Sequence, residues 1–179
     1  MATSQLSERD VFHYLRPEQI NAIDKISETI DCHAGDLVYT RGDKARYLYA
    51  LLDGQVDLVL PGKGGIGVLI ESLNRGAIFG TSASFAPRAW WFIGHRNPND
   101  AVFGTNASFE PGTYTLTARC TADSKILKID TTTLRQLMEE DCQMGYAIQR
   151  HISDLYFKRF VETMTKLQAI VMNIPMVRE

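Results

Sequence analysis

Short apolar segments separated by Gly and Asp residues run through the first half of the chain and predict β-strands. Three of these segments are residues 37–39, 47–52 and 56–60. Asp53-Gly54 stands between the second and the third and predicts a tight hairpin, because that turn needs a positive φ, which glycine adopts freely and aspartate tolerates. The partial alternation of apolar and polar residues over 56–60 favours an antiparallel sheet with one buried and one wetter face.

The β pattern extends from residue 31 to residue 78 and includes a glycine-rich tip. Residues 62–65 read GKGG and lie between two apolar segments, at 56–60 and 66–70. The P-loop spacing GxxxxGK[ST] is absent, and no helix is predicted to follow. The tip is therefore predicted to be a flexible hairpin turn and not a phosphate site.

Helices are predicted before this β region, within residues 1–30. Residues 5–14 predict a short helix that packs on the β-structure. Pro17 and Glu18 begin a second helix, because proline fits a first helical turn and a carboxylate favours the positive end of the helix dipole. The apolar stripe of this second helix, with steps of three, three and four residues, is formed by Ile20, Ile23, Ile26 and Ile30.

A long helix is predicted near the C-terminal end, after a shorter one that begins at Asp130 and the capping threonines behind it. It runs from about 144 to 172, which corresponds to roughly 43 Å at 1.5 Å per residue, and Pro175 limits it. Packing on the core of its own chain and contact with a second copy both fit its width, and contact with a second copy is favoured. Its apolar stripe consists of Ile148, Ile152, Tyr156, Phe160, Met164, Leu167 and Val171.

A near-repeat interrupts the β pattern. Residues 79–85 read FGTSASF, and residues 103–109 read FGTNASF, with six of seven positions identical. Removing one 24-residue unit would leave a continuous path into the next strand, so residues 80–103 are interpreted as an insertion. The bulky run WWFI at 90–93 either caps the mouth of the β-structure or presents a surface to a ligand or protein partner.

The segments GDLVYTRGDKARYLYALLDGQVDLVL at 35–60, LNRGAIFG at 73–80, TLTAR at 115–119 and ILKID at 126–130 resemble the cyclic-nucleotide-binding domain superfamily. This superfamily includes the sensor domains of catabolite-activator and fumarate-nitrate-type bacterial regulators, kinase regulatory subunits and cyclic-nucleotide-gated channels. The resemblance implies a mainly β fold with flanking helices: a double-stranded β-helix, or jelly-roll, barrel plus a long C-terminal helix. It implies a single domain over residues 1–179, with the barrel at 31–130 and the C-terminal helices at 131–174.

The resemblance also implies a ligand site in the phosphate-binding cassette, where a short helix, an Arg and a Glu hold the nucleotide in the family. Here Thr81 or Thr105 stands where the ribose-binding Glu is expected, and no Arg stands at the expected place before the strand at 115–119. Arg88 offers only a partial match, at a shorter spacing. Cyclic AMP or a related nucleotide is the implied ligand, although tight binding is not expected without the Glu and the Arg. The candidate ligand-binding residues are Gly80, Thr81, Ser82, Ala83, Arg88, Gly104, Thr105, Asn106, Ala107, Thr113 and Tyr114.

The net charge and the composition argue against DNA binding and against a membrane location. The formal net charge is −2 and no basic run is present, so direct DNA binding is not expected, because phosphate recognition needs clustered Lys and Arg. No apolar run approaches the roughly 20 residues that span a bilayer, and the first ten residues lack the apolar core of a signal peptide. We therefore expect a cytoplasmic protein without membrane contact.

Neither a metal site nor catalysis is expected. The three cysteines form no CxxC pair and are interpreted as reduced, partly buried hydrophobic residues. The four histidines form no HxH motif, which argues against a cupin-type metalloenzyme of similar fold. These residues are Cys32, Cys120, Cys142, His13, His33, His95 and His151.

Two functional hypotheses remain. The first is a regulatory small-ligand sensor without a DNA-binding domain, which signals through the C-terminal helix and a homodimer. The second is a degenerate dimerisation or protein-interaction module that binds no nucleotide, in keeping with the missing Glu and Arg.

Overall fold

The computed structural model describes residues 11–81 and 113–172. A 3-10 turn (Val11–Tyr14) and helix α1 (Pro17–Lys25) come first. Eight strands and two further α-helices follow within these residues. They are β1 (Ser27–Cys32), β2 (Leu37–Tyr39), β3 (Tyr47–Asp53), β4 (Val56–Pro61), β5 (Gly67–Leu73), β6 (Ile78–Phe79), β7 (Thr117–Cys120), β8 (Ser124–Asp130), α2 (Thr131–Glu140) and α3 (Cys142–Met172).

The strands form two antiparallel sheets of four. The first sheet has the order β1-β8-β3-β6, and the second has the order β2-β7-β4-β5. With α1 before the sheets and the long α3 after them, this arrangement confirms the predicted jelly-roll with flanking helices.

The first sheet is covered on both faces. On β3, alternate residues point in opposite directions, as the pleat of a strand requires. Leu48 and Leu52 pack with the helices, whereas Tyr49 and Leu51 pack in the interior between the two sheets. The domain therefore has two cores, and the first sheet is the wall between them.

The predicted hairpin at Asp53-Gly54 is wrong, although the predicted positive φ of the glycine is present. β3 and β4 do not pair, because they lie in different sheets. Gly54 has φ +91°, and a Cβ there would lie 2.4 Å from the backbone O of Asp123. The next residue, Gln55, donates its N–H to Ser124 Oγ over 3.1 Å. The chain thus turns out of the first sheet against the β7–β8 connection and enters the second.

Helix α1, predicted from Pro17 onward, is shorter than its apolar stripe predicted. α1 ends at Lys25, Ile26 is its C-cap, and β1 begins at Ser27, so the β-structure starts before residue 31. Ile30 lies in β1 and pairs with Ile126 of β8. The step from Ile26 to Ile30 fits a helix by spacing alone, but pairing with the central strand β8 provides the backbone hydrogen bonds that the helix would otherwise supply.

Several other predictions are confirmed. The GKGG tip joins the paired strands β4 and β5, with Gly62 N–H bonded to Ile66 O at 2.8 Å. Asp130 caps α2 by accepting from the N–H of Thr133 at 2.8 Å. The long helix α3 has 31 residues, about 46 Å at 1.5 Å per residue. Of the helix predicted at 5–14, only the 3-10 turn falls within the described residues.

Asp141 joins the N-terminal and C-terminal helices at the start of α3. Its carboxylate accepts from the side chains of Gln19 (2.6 Å) and Arg16 (3.0 Å) and from the backbone N–H of Met144 (3.0 Å). The Gln19 hydrogen bond, followed by the Met144 amide, lowers the pKa of this carboxyl below its ordinary value of 3.8. The ionised form is therefore the one that holds α1 against α3.

We expect Asp141→Asn to lower the free energy of unfolding at pH 7 and to make it less dependent on pH. A carboxyl whose pKa is depressed by folding contributes stability above its unfolded pKa, and that contribution is lost as the pH falls through the folded value. Urea unfolding from pH 7 down to pH 2 measures the difference between the two proteins. It should be largest at neutral pH and should shrink below about pH 4; a constant difference over the whole range would contradict this role.

Candidate functional site

The candidate site begins where the chain leaves β6, at Gly80 and Thr81. Gly80 has φ +75°, and a Cβ there would lie 2.9 Å from the Tyr49 ring and 3.1 Å from Tyr47 O. Its backbone N–H is hydrogen-bonded to the hydroxyl of Tyr39. Only glycine fits this position without strain, because both the conformation and the space exclude a side chain.

Thr81 connects this segment to the long helix. Its side chain is buried, and its Oγ1 lies 2.9 Å from the hydroxyl oxygen of Tyr156 in α3, which is a hydrogen-bond distance. Residues 81 and 156 are far apart in sequence, so the bond fixes the middle of α3 against the exit of β6.

Arg159 makes a second connection, one helical turn after Tyr156. Its Nε lies 2.6 Å from Glu71 Oε2, and its Nη2 donates to the backbone O of Ile78 at 3.0 Å. The two charged side chains are only 19% and 27% exposed. An ion pair this sheltered is screened less by salt than a surface pair, and breaking it leaves a poorly hydrated charge. Arg159 thus joins α3 to both β5 and β6.

Aromatic side chains fill the interior between the two sheets beneath Gly80. The rings of Tyr39 and Tyr114 stack with their centroids 3.9 Å apart, and those of Tyr49 and Phe79 stack at 5.3 Å. The Tyr114 hydroxyl donates to Tyr47 O at 3.0 Å and accepts from Tyr47 N–H at 3.2 Å. Burial raises the pKa of Tyr39 and of Tyr49, so both phenols are neutral at physiological pH.

The structure brings together three of the residues predicted from sequence. Gly80, Thr81 and Tyr114 are neighbours at the end of β6, and a Cβ on Gly80 would lie 3.4 Å from the Tyr114 ring. Thr113 instead forms an isolated bridge with Lys44. Apart from Gly80 and Thr81, the insertion at 80–103 lies outside the described residues, as do both FGT[SN]ASF copies beyond Thr81. The candidates that fall there are Ser82, Ala83, Arg88, Gly104, Thr105, Asn106 and Ala107.

Sequence reasoning missed Tyr39, Glu71 and Arg159. Tyr39 was recognised only as part of a strand, and nothing in the local sequence of Glu71 or Arg159 distinguishes them from other surface charges. Their partnership joins residues 88 positions apart. Predicting this ion pair requires knowing the direction in which α3 crosses β5. The apolar stripe of the helix does not give that direction.

The described part of the chain shows neither a metal centre nor a helix suited to a membrane. Residues 11–81 and 113–172 contain no group of three or more His, Cys, Asp or Glu side chains placed to hold a metal ion. Over the same ranges, no helix combines the length and the apolar character needed to cross a membrane.

Comparison with known proteins finds a family model that is similar to part of the chain. Residues 29–93 match the sequence model described as "Cyclic nucleotide-binding domain". The match covers about a third of the chain. No protein with a curated description matches the chain.

Solved structures of other proteins share the fold of this chain. One is described as a candidate cyclic nucleotide-binding protein from Geobacter metallireducens GS-15, with 24% identity, TM-score 0.65 and coverage of 89% of this chain and 98% of that one. Catabolite activator protein from Thermus thermophilus has 17% identity and TM-score 0.64, covering 90% and 62%. The sensor domain of the transcriptional regulator DNR from Pseudomonas aeruginosa has 17% identity and TM-score 0.61, covering 99% and 95%.

We expect Thr81→Val to lower the free energy of unfolding of the domain by about 1 kcal/mol, because the substitution removes the hydrogen bond to Tyr156. Thr81→Ser keeps the hydroxyl and is the matched control. Urea unfolding of Thr81→Val, Tyr156→Phe and the double variant gives the coupling between the two side chains. Strictly additive effects would contradict a direct contribution of this bond.

Proposed function

We propose that this domain is a regulatory sensor that converts binding of a small ligand near Gly80 and Thr81 into a change in the position of α3. The observation that supports the proposal is the set of contacts between the β6 exit and the helix. Thr81 is bonded to Tyr156, and Arg159 is bonded to Glu71 and to Ile78 O. A ligand that bonds to Thr81 or to Arg159 competes with these contacts.

The proposed mechanism is an equilibrium between two positions of α3. A ligand shifts such an equilibrium only by as much as its affinity differs between the two positions. In the position described here, the Thr81 hydroxyl and the Arg159 guanidinium are engaged with protein groups. A ligand that takes over either group favours a second position of α3, in which Tyr156 or Glu71 has exchanged its partner.

We propose a cyclic nucleotide, cyclic AMP or a relative, as the ligand class. The family match supports a ligand of this kind, and a guanidinium is well suited to a phosphate, which it binds through two parallel hydrogen bonds. The sequence lacks the ribose-binding Glu and the usual Arg of the cassette. Arg159 is a cation from another part of the chain that stands beside the β6 exit.

The output that we propose is a homodimer formed along α3. Phe157, Phe160, Met164 and Leu167 are spaced by three, four and three residues, and all four side chains are exposed. That spacing is the a/d repeat with which one helix packs against a second copy of itself. We call these four residues the exposed seam.

One observation favours the alternative of a dimerisation module that binds no nucleotide. The interior beneath Gly80 is occupied by the four rings of Tyr39, Tyr49, Phe79 and Tyr114, and these side chains are buried. The Gly80 N–H is already bonded to Tyr39. A ligand at this depth would have to displace packed aromatic side chains.

Calorimetric titration of nucleotide-stripped protein with cyclic AMP and with cyclic GMP distinguishes the two functions. The sensor predicts saturable heat at micromolar ligand or below, together with a change in amide hydrogen exchange along α3. Non-cyclic AMP is the control ligand. The absence of heat with either cyclic nucleotide, in a protein that is folded and dimeric, would overturn the nucleotide sensor and favour the dimerisation module.

A further inference from the structure

Two of the three cysteines lie side by side although they are 88 residues apart in the sequence. Cys32 is the last residue of β1, in the first sheet, and Cys120 is the last residue of β7, in the second. Cys32 packs on the interior cluster that contains Cys120, and each thiol influences the pKa of the other. A disulfide joins cysteines whose Cβ atoms approach to about 3.8 Å, and this packing places Cys32 and Cys120 together in one interior cluster.

Main-chain hydrogen bonds hold Cys120 against the turn that follows Cys32. Gly35 N–H donates to Cys120 O at 2.8 Å, and Cys120 N–H donates to Asp36 O at 2.9 Å. Cys32 leads directly into this turn, whose own closure comes from His33 N–H bonded to the Asp36 carboxylate at 2.8 Å. The relative position of the two cysteines is thus fixed by main-chain hydrogen bonds and not by the thiols alone.

The three cysteines differ in their exposure to solvent. Cys120 is fully buried, Cys32 is half-buried, and Cys142 is exposed, so the expectation that all three are partly buried is wrong for Cys142. Burial raises the pKa of Cys32 and raises that of Cys120 to about 11. Both are therefore thiols at neutral pH, and they react more slowly than an activated cysteine.

We propose that Cys32 and Cys120 form a reversible disulfide that links the two sheets. The oxidant class is a small neutral disulfide, because Asp31 and Asp36 make the surroundings of Cys32 negative. The Cys32 thiolate attacks one sulfur of this reagent, forms a mixed disulfide and releases one small thiol. The Cys120 thiolate then attacks Cys32 Sγ and releases the second small thiol. Two protein thiols lose two protons and two electrons, which convert the reagent into two thiols.

The closed link would join the two sheets directly, at the end of β7 opposite Tyr114. It encloses a long stretch of chain, which includes the near-repeat, and a cross-link over a long loop restricts the unfolded chain most. We expect a rise in Tm of about 5 °C or more on oxidation. The rate should increase about tenfold per pH unit between roughly pH 7 and pH 9, because the thiolate fraction grows in that proportion below the pKa.

The test is to incubate the full chain with bis(2-hydroxyethyl) disulfide and then to measure its intact mass, its free thiols under denaturing conditions and its Tm. We expect the protein to lose two hydrogens, to give a Cys32–Cys120 peptide in a non-reducing digest, and to carry at most one reagent adduct, on the exposed Cys142. Dithiothreitol should restore all three thiols. Cys142→Ser is the matched control and should form the same link.

Two variants separate this pairing from other oxidations. Cys32→Ser and Cys120→Ser should each form no internal disulfide and should retain mixed-disulfide adducts with the reagent. A folded wild-type protein that keeps three free thiols after prolonged oxidation would overturn the proposal. A link that involves Cys142, or an oxidised form with a lower Tm, would overturn it equally.

Discussion

Tyr114→Ala is expected to lower the free energy of unfolding by about 3–5 kcal/mol, the usual range for removing a large aromatic side chain from a core. Tyr114 is only 3% exposed, and its ring stacks on Tyr39 at 3.9 Å. The substitution empties space between the two sheets and leaves the N–H and O of Tyr47 without the hydroxyl they contact. Urea unfolding followed by fluorescence measures the loss.

Tyr114→Phe is the matched control, because it keeps the ring and removes only the hydroxyl. We expect it to cost about 1 kcal/mol, the contribution of a typical hydrogen bond. The pair of variants also examines the sequence-based view of Tyr114 as a ligand-binding residue. Nearly equal stabilities for Tyr114→Ala and the wild type would mean that the ring is not part of the core, and its assignment to a ligand would then regain support.

Phe160→Glu is expected to weaken the proposed dimer about a hundredfold or more, since each protomer would place a carboxylate in an apolar contact without a partner. Phe160 is 61% exposed in the single chain, so the substitution should leave the stability of the monomer nearly unchanged. Sedimentation velocity over a range of protein concentrations measures the dissociation constant, and circular dichroism confirms that the chain is folded.

Thr165→Glu controls for the added charge in the same experiment. Thr165 lies on the same helix and is exposed, but it stands outside the seam, and its hydroxyl bonds only to Val161 O within the helix. We expect this variant to remain dimeric. A wild-type protein that is monomeric at high concentration, or a Phe160→Glu variant with unchanged association, would show that the seam does not join two copies of the chain.

Local sequence patterns predicted most of the elements, because the patterns arise from interactions within the elements. The apolar segments that became β2, β3 and β4, the capping by Asp130 and the long helix α3 all depend on neighbours a few residues away. The same holds for the positive φ of Gly54. The family resemblance then supplied the jelly-roll arrangement, which no single segment specifies.

Partnerships between distant segments could not be read from the sequence. Asp53-Gly54 has the composition of a hairpin turn, but the contact of Gly54 with Asp123 and Ser124 directs the chain into the other sheet. Ile30 continues a helical spacing, yet pairing with β8 makes it part of a strand. The candidate site shows the same difference between local signals and contacts of distant segments. Gly80 and Thr81 were predicted, whereas the ion pair of Arg159 with Glu71 depends on how a helix crosses a strand.

The strand order has a consequence for synthesis of the protein on the ribosome. Among the described strands, β7 and β8 are made last, yet each lies in the middle of its sheet, with β7 between β2 and β4 and β8 between β1 and β3. Until residues 117–130 leave the exit tunnel, β1 and β2 lack the strands with which they pair in the described part of the chain. Of the ladders described there, those of β3–β6 and β4–β5 can form earlier. Nascent chains of this domain therefore expose unpaired strand edges late in translation, when they are most open to aggregation and to chaperones.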